Sequence, residues 1–175
     1  IETGIFYRLV AYHFLLSNIS MNNLKTFLFS SCNSLNKITI EKKKLYKANV
    51  TKFASILAKK KVVRDYVLNQ QKAIINDYPS ELSGIILEGR DCGTVIAPNA
   101  NLKIFMSASL EVRAKRRVLQ LEGNKKKTNY EKVFDELKRR DQRDIQRNFS
   151  PLKKAESAVE IDSTNLNLSD TINIV

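Results

Sequence analysis

The sequence predicts an α/β protein built on a parallel sheet, and three observations carry that prediction. Three short runs, Gly84 to Leu87, Leu102 to Met106 and Val159 to Ile161, are nearly continuous in apolar residues, as strands covered on both faces are. Helical patterns separate them, and strands alternating with helices build parallel units. Each run ends in polar residues: Gly89-Arg90-Asp91, Ser107-Ala108-Ser109 and Asp162-Ser163-Thr164. Open α/β sheets hold ligands beyond the carboxyl ends of their strands, so chemistry is expected at these three ends.

The elements follow in chain order. Residues 17 to 50 are rich in Asn, Ser and Lys with weak periodicity, and read as a small inserted segment or a poorly ordered one. A long helix is expected from Val50 to Ile75, broken near Lys59-Lys60-Lys61. Ser109 is placed to cap a helix running through Leu121, with Glu111 in its first turn and Gly123 just beyond its end. Tyr130, Val133, Phe134 and Leu137 stand at helical spacing and begin a second helix that continues in charged form to Arg147. A final helix is expected from Leu168 to Val175, with Ser169 as its N-cap. The chain has no internal repeat.

Composition narrows the function. The 175 residues suit one domain with small insertions, and 43% hydrophobic residues suffice for a core. The apolar stretch Val10 to Leu16 is interrupted by His13, lacks the basic flank and cleavage site of a signal peptide, and is far shorter than the roughly 20 residues of a membrane span. Cys32 and Cys92 have no paired spacing, which argues against a disulfide framework and a zinc site and for a reducing, cytoplasmic location. With His13 the only histidine, a Ser-His-Asp mechanism is not expected. The net charge of +12 suits an anionic partner, either nucleic acid or phosphorylated small molecules. Twenty of the thirty basic residues are Lys, which is equally the mark of an AT-rich genome.

Two constellations stand out. Arg140, Asp144 and Arg147 are spaced i, i+4, i+7 on one helix face, so the carboxylate lies between two guanidiniums. Such a carboxylate can accept sugar hydroxyls while the arginines fork onto phosphate oxygens. The same spacing also makes a solvated salt-bridge ladder of little energetic weight. The segments RAKRR (Arg113 to Arg117) and KRRDQRDIQR (Lys138 to Arg147) concentrate like charge on adjacent helices. That is the signature of a polyphosphate site or of a nucleic-acid groove, although aromatic residues for base stacking are nearly absent around them.

Together the segments ETGIFYR, FASILAKKKVVRDYVLNQQKAI, ILEGRDCGTVIAPNANLKIFMSASLEVRAKRRVLQL, YEKVFDELKRRDQRDIQR and SPLKKAESAVEIDSTNLNLS resemble the bacterial cytidylate kinases, in that family's order. The resemblance covers most of residues 1–16 and 51–170, and GRDxGTV followed by KIF, RAxRR and RDxRD is a specific combination. It implies a P-loop-kinase-like parallel core (1–16 and 84–175), an inserted nucleoside-monophosphate-binding segment (17–83) and a helical lid near 118–147. It implies phosphoryl transfer from ATP, with Mg2+ bridging the phosphates, to CMP or dCMP, in pyrimidine nucleotide metabolism. It also implies a monomer with no nucleic-acid partner.

The resemblance implies residue roles as well. Thr3 and Arg8 would contact the acceptor nucleotide, Arg8 on its phosphate. Ser55 would read the cytosine ring, and Arg64 would lie near base and phosphate. Arg90 would meet the phosphates and Asp91 the pentose. Arg140 and Asp144 would hold the sugar hydroxyls, Arg147 a phosphate, and Arg116 the ATP side at the base of the lid. Arg90, Asp91 and Arg147 are the expected catalytic group.

The family's first strand and its GxxxxGK[ST] loop have no counterpart in these residues. The family places that loop just before the segment matching ETGIFYR, so the expectation is a fragment, beginning at Ile1 in mid-protein and stopping at Val175 inside a helix. Two alternatives stay open: a remnant that binds CMP without turnover, and a basic nucleic-acid-binding module.

Overall fold

The computed structural model describes residues 1–31, 40–123 and 127–175. Cys32, with residues 32–39 of the expected insertion, and residues 124–126 of the expected lid lie outside the described residues. The chain divides into two compact units, Ile1–Cys92 and Gly93–Val175.

The first unit is helical. Helix α1 (Ile5–Ser17) buries Phe6, Leu9, Val10, Ala11 and Phe14, an i, i+3, i+4 stripe, and ends at Asn18 in the left-handed region (φ 52°). After a 3-10 turn at Met21–Asn23, α2 (Leu24–Ser31) contributes Leu24, Phe27 and Leu28 to the same core. A single turn, α3 (Lys42–Leu45), adds Leu45, and α4 (Ala48–Leu57) adds Val50, Ala54 and Leu57. Helix α5 (Lys61–Asn76) closes the unit with Val63, Tyr66 and Val67. The aromatic centre is Phe14, whose ring meets Phe27 edge-on at 5.1 Å and lies stacked 5.5 Å from Phe53.

One expectation is narrowed and one corrected here: of the two alternatives for 17–50, the poorly ordered one fails among the described residues. The weakly periodic 17–50 segment supplies three of the most deeply buried side chains, Phe27, Leu28 and Leu45. Its helices α2 and α3 are short, eight and four residues, so each has too few turns for a periodic signal to accumulate. The run Gly84 to Leu87 forms no strand. Residues 1–3 run beside its end, the Ile1 amino group donating to the Ile86 carbonyl at 2.5 Å and the Glu88 N–H to the Ile1 carbonyl at 2.9 Å, but among the described residues this amounts to one parallel bridge, Glu2 with Glu88, and Ile86 is 87% exposed. An apolar run becomes a strand only where a ladder partner continues alongside it. The expected break in the long helix is present, with α4 ending at Leu57 and α5 starting at Lys61.

The second unit is α/β. A π turn at Cys92–Ile96 leads into it from the first. Strands β1 (Ile104–Ser107) and β2 (Val159–Asp162) pair in parallel, Ile104 opposite Val159 and Ser107 opposite Asp162. Between them run α6 (Leu110–Gly123) and α7 (Tyr130–Gln146), packed on one another, the crossover that parallel strands require. Ser109 caps α6, its Oγ accepting from the Val112 N–H at 3.3 Å, and the helix runs two residues past the expected end to include Gly123. Asn129 caps α7, its Oδ1 accepting from the Lys132 N–H at 3.1 Å. Helix α8 (Leu168–Ile174) is capped by Asn167 rather than Ser169: the Asn167 Oδ1 accepts from the Asp170 N–H at 2.9 Å. The strands are not covered on both faces, since Met106 is 48% and Val159 54% exposed. Two four-residue strands offer too little width for that.

Candidate nucleotide site

The functional side chains fall into a group in each unit. In the first, the chain start runs beside the turn that follows Leu87. The Thr3 N–H donates to the Glu88 carbonyl at 2.8 Å, the Thr3 Oγ1 to the same oxygen at 2.9 Å, and the Gln71 side chain donates to the Thr3 carbonyl at 3.0 Å. Thr3 is buried and fastens α5 to the 88–91 turn. Gly89 must be glycine, because a Cβ there would overlap the Thr3 hydroxyl and come 2.9 Å from Cys92 Sγ. Burial pushes the Cys92 thiol up, away from the reactive thiolate.

Arg64 and Asp91 are brought together as a buried pair. The Arg64 NH2 lies 3.2 Å from Asp91 Oδ2, with side chains 9% and 15% exposed. Arg64 NH1 also donates to the Ala58 carbonyl, and its guanidinium sits 5.8 Å from the Tyr7 ring. An ion pair so sheltered survives only with such extra donors and acceptors, because removing either partner strands a buried charge. Arg90 is half-buried in the same turn. Arg8 takes a different setting: its NH1 donates to Thr51 Oγ1 and to the Leu45 carbonyl, and its Cζ stands 4.4 Å from the centre of the Tyr46 ring. Ser55 faces solvent on α4, its hydroxyl turned back on the Thr51 carbonyl at 3.1 Å.

In the second unit the Asp144 carboxylate lies between two arginines as the spacing predicts, 3.9 Å from Arg140 Nε and 3.7 Å from Arg147 NH1. This is not a fully solvated ladder. Arg140 is 55% exposed, but Asp144 is only 16% and Arg147 24% exposed. The chain folds back over them: the Leu152 N–H donates to the Asp144 carbonyl at 2.8 Å, and Arg147 Nε donates to the Ser150 carbonyl. Ser150 adopts a left-handed backbone (φ 48°) to make that turn.

Arg116 is engaged at the carboxyl ends of the strands. Its NH2 donates to the Ser163 and Leu166 carbonyls at 2.6 and 2.9 Å, and its NH1 to Ser163 Oγ at 3.1 Å. Ser163 in turn donates to the Ser107 carbonyl, and Thr164 Oγ1 accepts from the Ser109 N–H at 2.9 Å. Thr164 also holds the Asp162 carboxyl below its usual range through side-chain and backbone hydrogen bonds. The strand ends are therefore knit into one polar rim, with an arginine as its brace.

Several residues of this setting have no sequence signal. Arg113 NH1 meets Asp141 Oδ2 at 2.7 Å and ties α6 to α7, yet the two are 28 positions apart. Tyr46, Gln71 and Thr51 are likewise recruited by packing alone.

A parallel α/β unit with a polar rim at its strand ends and arginines on its crossover helices suits an anionic ligand beyond those ends, and is consistent with a P-loop-kinase-like fold. The cytidylate kinase family model matches residues 1–175. The cytidylate kinase of Fusobacterium nucleatum subsp. nucleatum is 39% identical, over 100% of this chain and 82% of its own length. That of Caldicellulosiruptor bescii is 35% identical, over 98% and 80%, and that of Phytoplasma mali 32% identical, over 99% and 79%. The chain belongs to the cytidylate kinase family, and so to the transferases.

Proposed function

We propose that this protein transfers the γ-phosphoryl group of Mg2+-bound ATP to CMP or dCMP, giving CDP or dCDP. The observation that carries this is the family match over residues 1–175. The Asp144 carboxylate, sheltered between Arg140 and Arg147, supports it. Phosphoryl transfer needs positioned cations around the transferred group and no protein nucleophile. Arg8, Arg90 and Arg147 supply positive charge for phosphate oxygens, and Arg140 with Asp144 takes the sugar hydroxyls. Ser55 would read the cytosine ring, Arg64 would lie near base and phosphate, Asp91 would meet the pentose and Thr3 the acceptor nucleotide, and Arg116 would serve the ATP side. Residues 17–83 are the acceptor-binding insertion on the core of 1–16 and 84–175, and 118–147 the lid. Lid closure would exclude water and limit wasteful hydrolysis of ATP. Mg2+ generally takes its ligands from substrate phosphates, with one or two carboxylates, rather than from an all-protein cage.

These 175 residues contain no GxxxxGK[ST] loop, and that favours a second reading in which this stretch holds the acceptor nucleotide without turning it over alone. Two measurements separate the readings. Calorimetric titration with CMP tests the acceptor site. ADP release with CMP, dCMP and UMP as acceptors tests the transfer. Binding with turnover supports the kinase, and binding without turnover supports the second reading. No CMP binding, together with RNA affinity that falls steeply with salt, would replace both by a basic nucleic-acid-binding protein. We place the protein in the cytoplasm as a monomer. Its two cysteines have no paired spacing, and among the described residues no helix is long and apolar enough to cross a membrane.

A further inference from the structure

Glu2, Lys42 and Tyr46 form a cluster to which the reading above gives no role. The Tyr46 hydroxyl donates to Glu2 Oε2 at 2.9 Å, and Lys42 Nζ lies 3.0 Å from the same oxygen. The Lys42 and Tyr46 hydrogen bonds hold the Glu2 carboxyl below its usual range, while burial, and then Glu2, push the Tyr46 phenol up. Tyr46 sits at the end of the four-residue α3 and is 45% exposed, so its own helix does little to fix the ring. The bond to Glu2 does, and it fixes the ring against Arg8, with 4.4 Å between Cζ and the ring centre.

That contact covers one face of the guanidinium. The Arg8 NH1 is spent on Thr51 Oγ1 and the Leu45 carbonyl. Among the described residues, Nε and NH2 donate to nothing. The Nε–NH2 edge is the fork that matches two oxygens of one phosphate. An arginine already held on its face and at one nitrogen has given up much of its rotamer freedom before the ligand arrives, and that is what raises affinity.

We infer that Tyr46, oriented by Glu2, is a positioning residue that presents the Nε–NH2 edge of Arg8 to the phosphate of the acceptor nucleotide. The inference rests on the acceptor-site reading above, and the test keeps the two apart. CMP and cytidine, which differ only in the phosphate, are titrated calorimetrically into the wild type and into Tyr46→Leu, Tyr46→Phe, Glu2→Gln and Arg8→Ala. Tyr46→Leu should weaken CMP by about fivefold and leave cytidine unchanged. Tyr46→Phe and Glu2→Gln keep the ring but free it, so they should show smaller losses with the same selectivity. In the Arg8→Ala background, Tyr46→Leu should add nothing. Equal losses for CMP and cytidine, or an unchanged CMP affinity in all three Tyr46 and Glu2 variants, would overturn the inference. If Arg8→Ala itself leaves CMP affinity unchanged, the phosphate role of Arg8 falls and the inference with it. If Arg8→Ala weakens CMP and the other variants do not, only the inference falls. Should Tyr46→Leu fail to fold, Tyr46→Phe and Glu2→Gln carry the comparison.

Discussion

At the scale of single residues, two positions have consequences that are easy to measure. Gly89 leaves no room for a side chain, because the Thr3 hydroxyl and Cys92 Sγ occupy the space. The Thr3 hydroxyl is held by the Glu88 carbonyl, so it cannot move aside without losing a bond. Gly89→Ala should destabilise the protein by roughly 1–3 kcal/mol, read as a lowered urea midpoint, whereas the double variant with Thr3→Ala should recover part of the loss. His13 is the second position. Its Nε2 is buried with no hydrogen-bond partner among the described residues, and burial lowers its folded pKa. The unfolded chain therefore takes up the proton first, below about pH 6.5. The stability due to neutral His13 is complete above that pH and is lost as pH falls toward the lower folded pKa. His13→Phe should flatten the decline in urea midpoint between pH 7.5 and 5.5, and an identical decline in both proteins would refute the assignment.

At the scale of elements, most boundaries are decided by local chemistry. The Ser109 cap, the break between α4 and α5 and the start of α7 at Tyr130 all follow from residue type and spacing. The α8 cap moved from Ser169 to Asn167 because both residues suit the role and only backbone geometry chooses. The failed element, Gly84 to Leu87, shows the limit: strand pairing depends on a partner, and no local pattern reports one. Helix α2 errs the other way. Its Phe27 is 2% exposed against Phe14, although its surroundings read as an irregular segment. Phe27→Ala should cost roughly 3–5 kcal/mol, while Phe29→Ala, at a side chain 58% exposed on the same helix, should cost well under half of that. Equal effects in thermal unfolding would mean that α2 does not anchor the core.

At the scale of the whole molecule, the test is discrimination between substrates. The Asp144 carboxylate lies between two arginines and, in the proposed role, accepts sugar hydroxyls. Asp144→Ala should raise the KM for CMP by about tenfold or more, the worth of a charge-assisted hydrogen bond, and raise that for dCMP less, since dCMP has no 2′-hydroxyl to lose. Equal increases for the two would undo the sugar assignment. Arg140 was legible as its companion because a helix places i and i+4 on one face whatever surrounds it, whereas Arg147 lies just past the end of α7 with an extended backbone and is held there by the Ser150 carbonyl.

The sequence by itself determined the α/β class of the second unit, its crossover helices, the Arg140-Asp144 pair and the family, because each depends on neighbours along the chain or on motif order. Tertiary structure alone decided that Arg64 meets Asp91, that Arg116 braces the Ser163 turn and that Tyr46 lies on Arg8. Those partners are 27, 47 and 38 positions apart in the numbering of the chain. Contacts across such separations are fixed by how apolar faces pack, and a helical or strand period carries no information about which distant polar group the packing delivers.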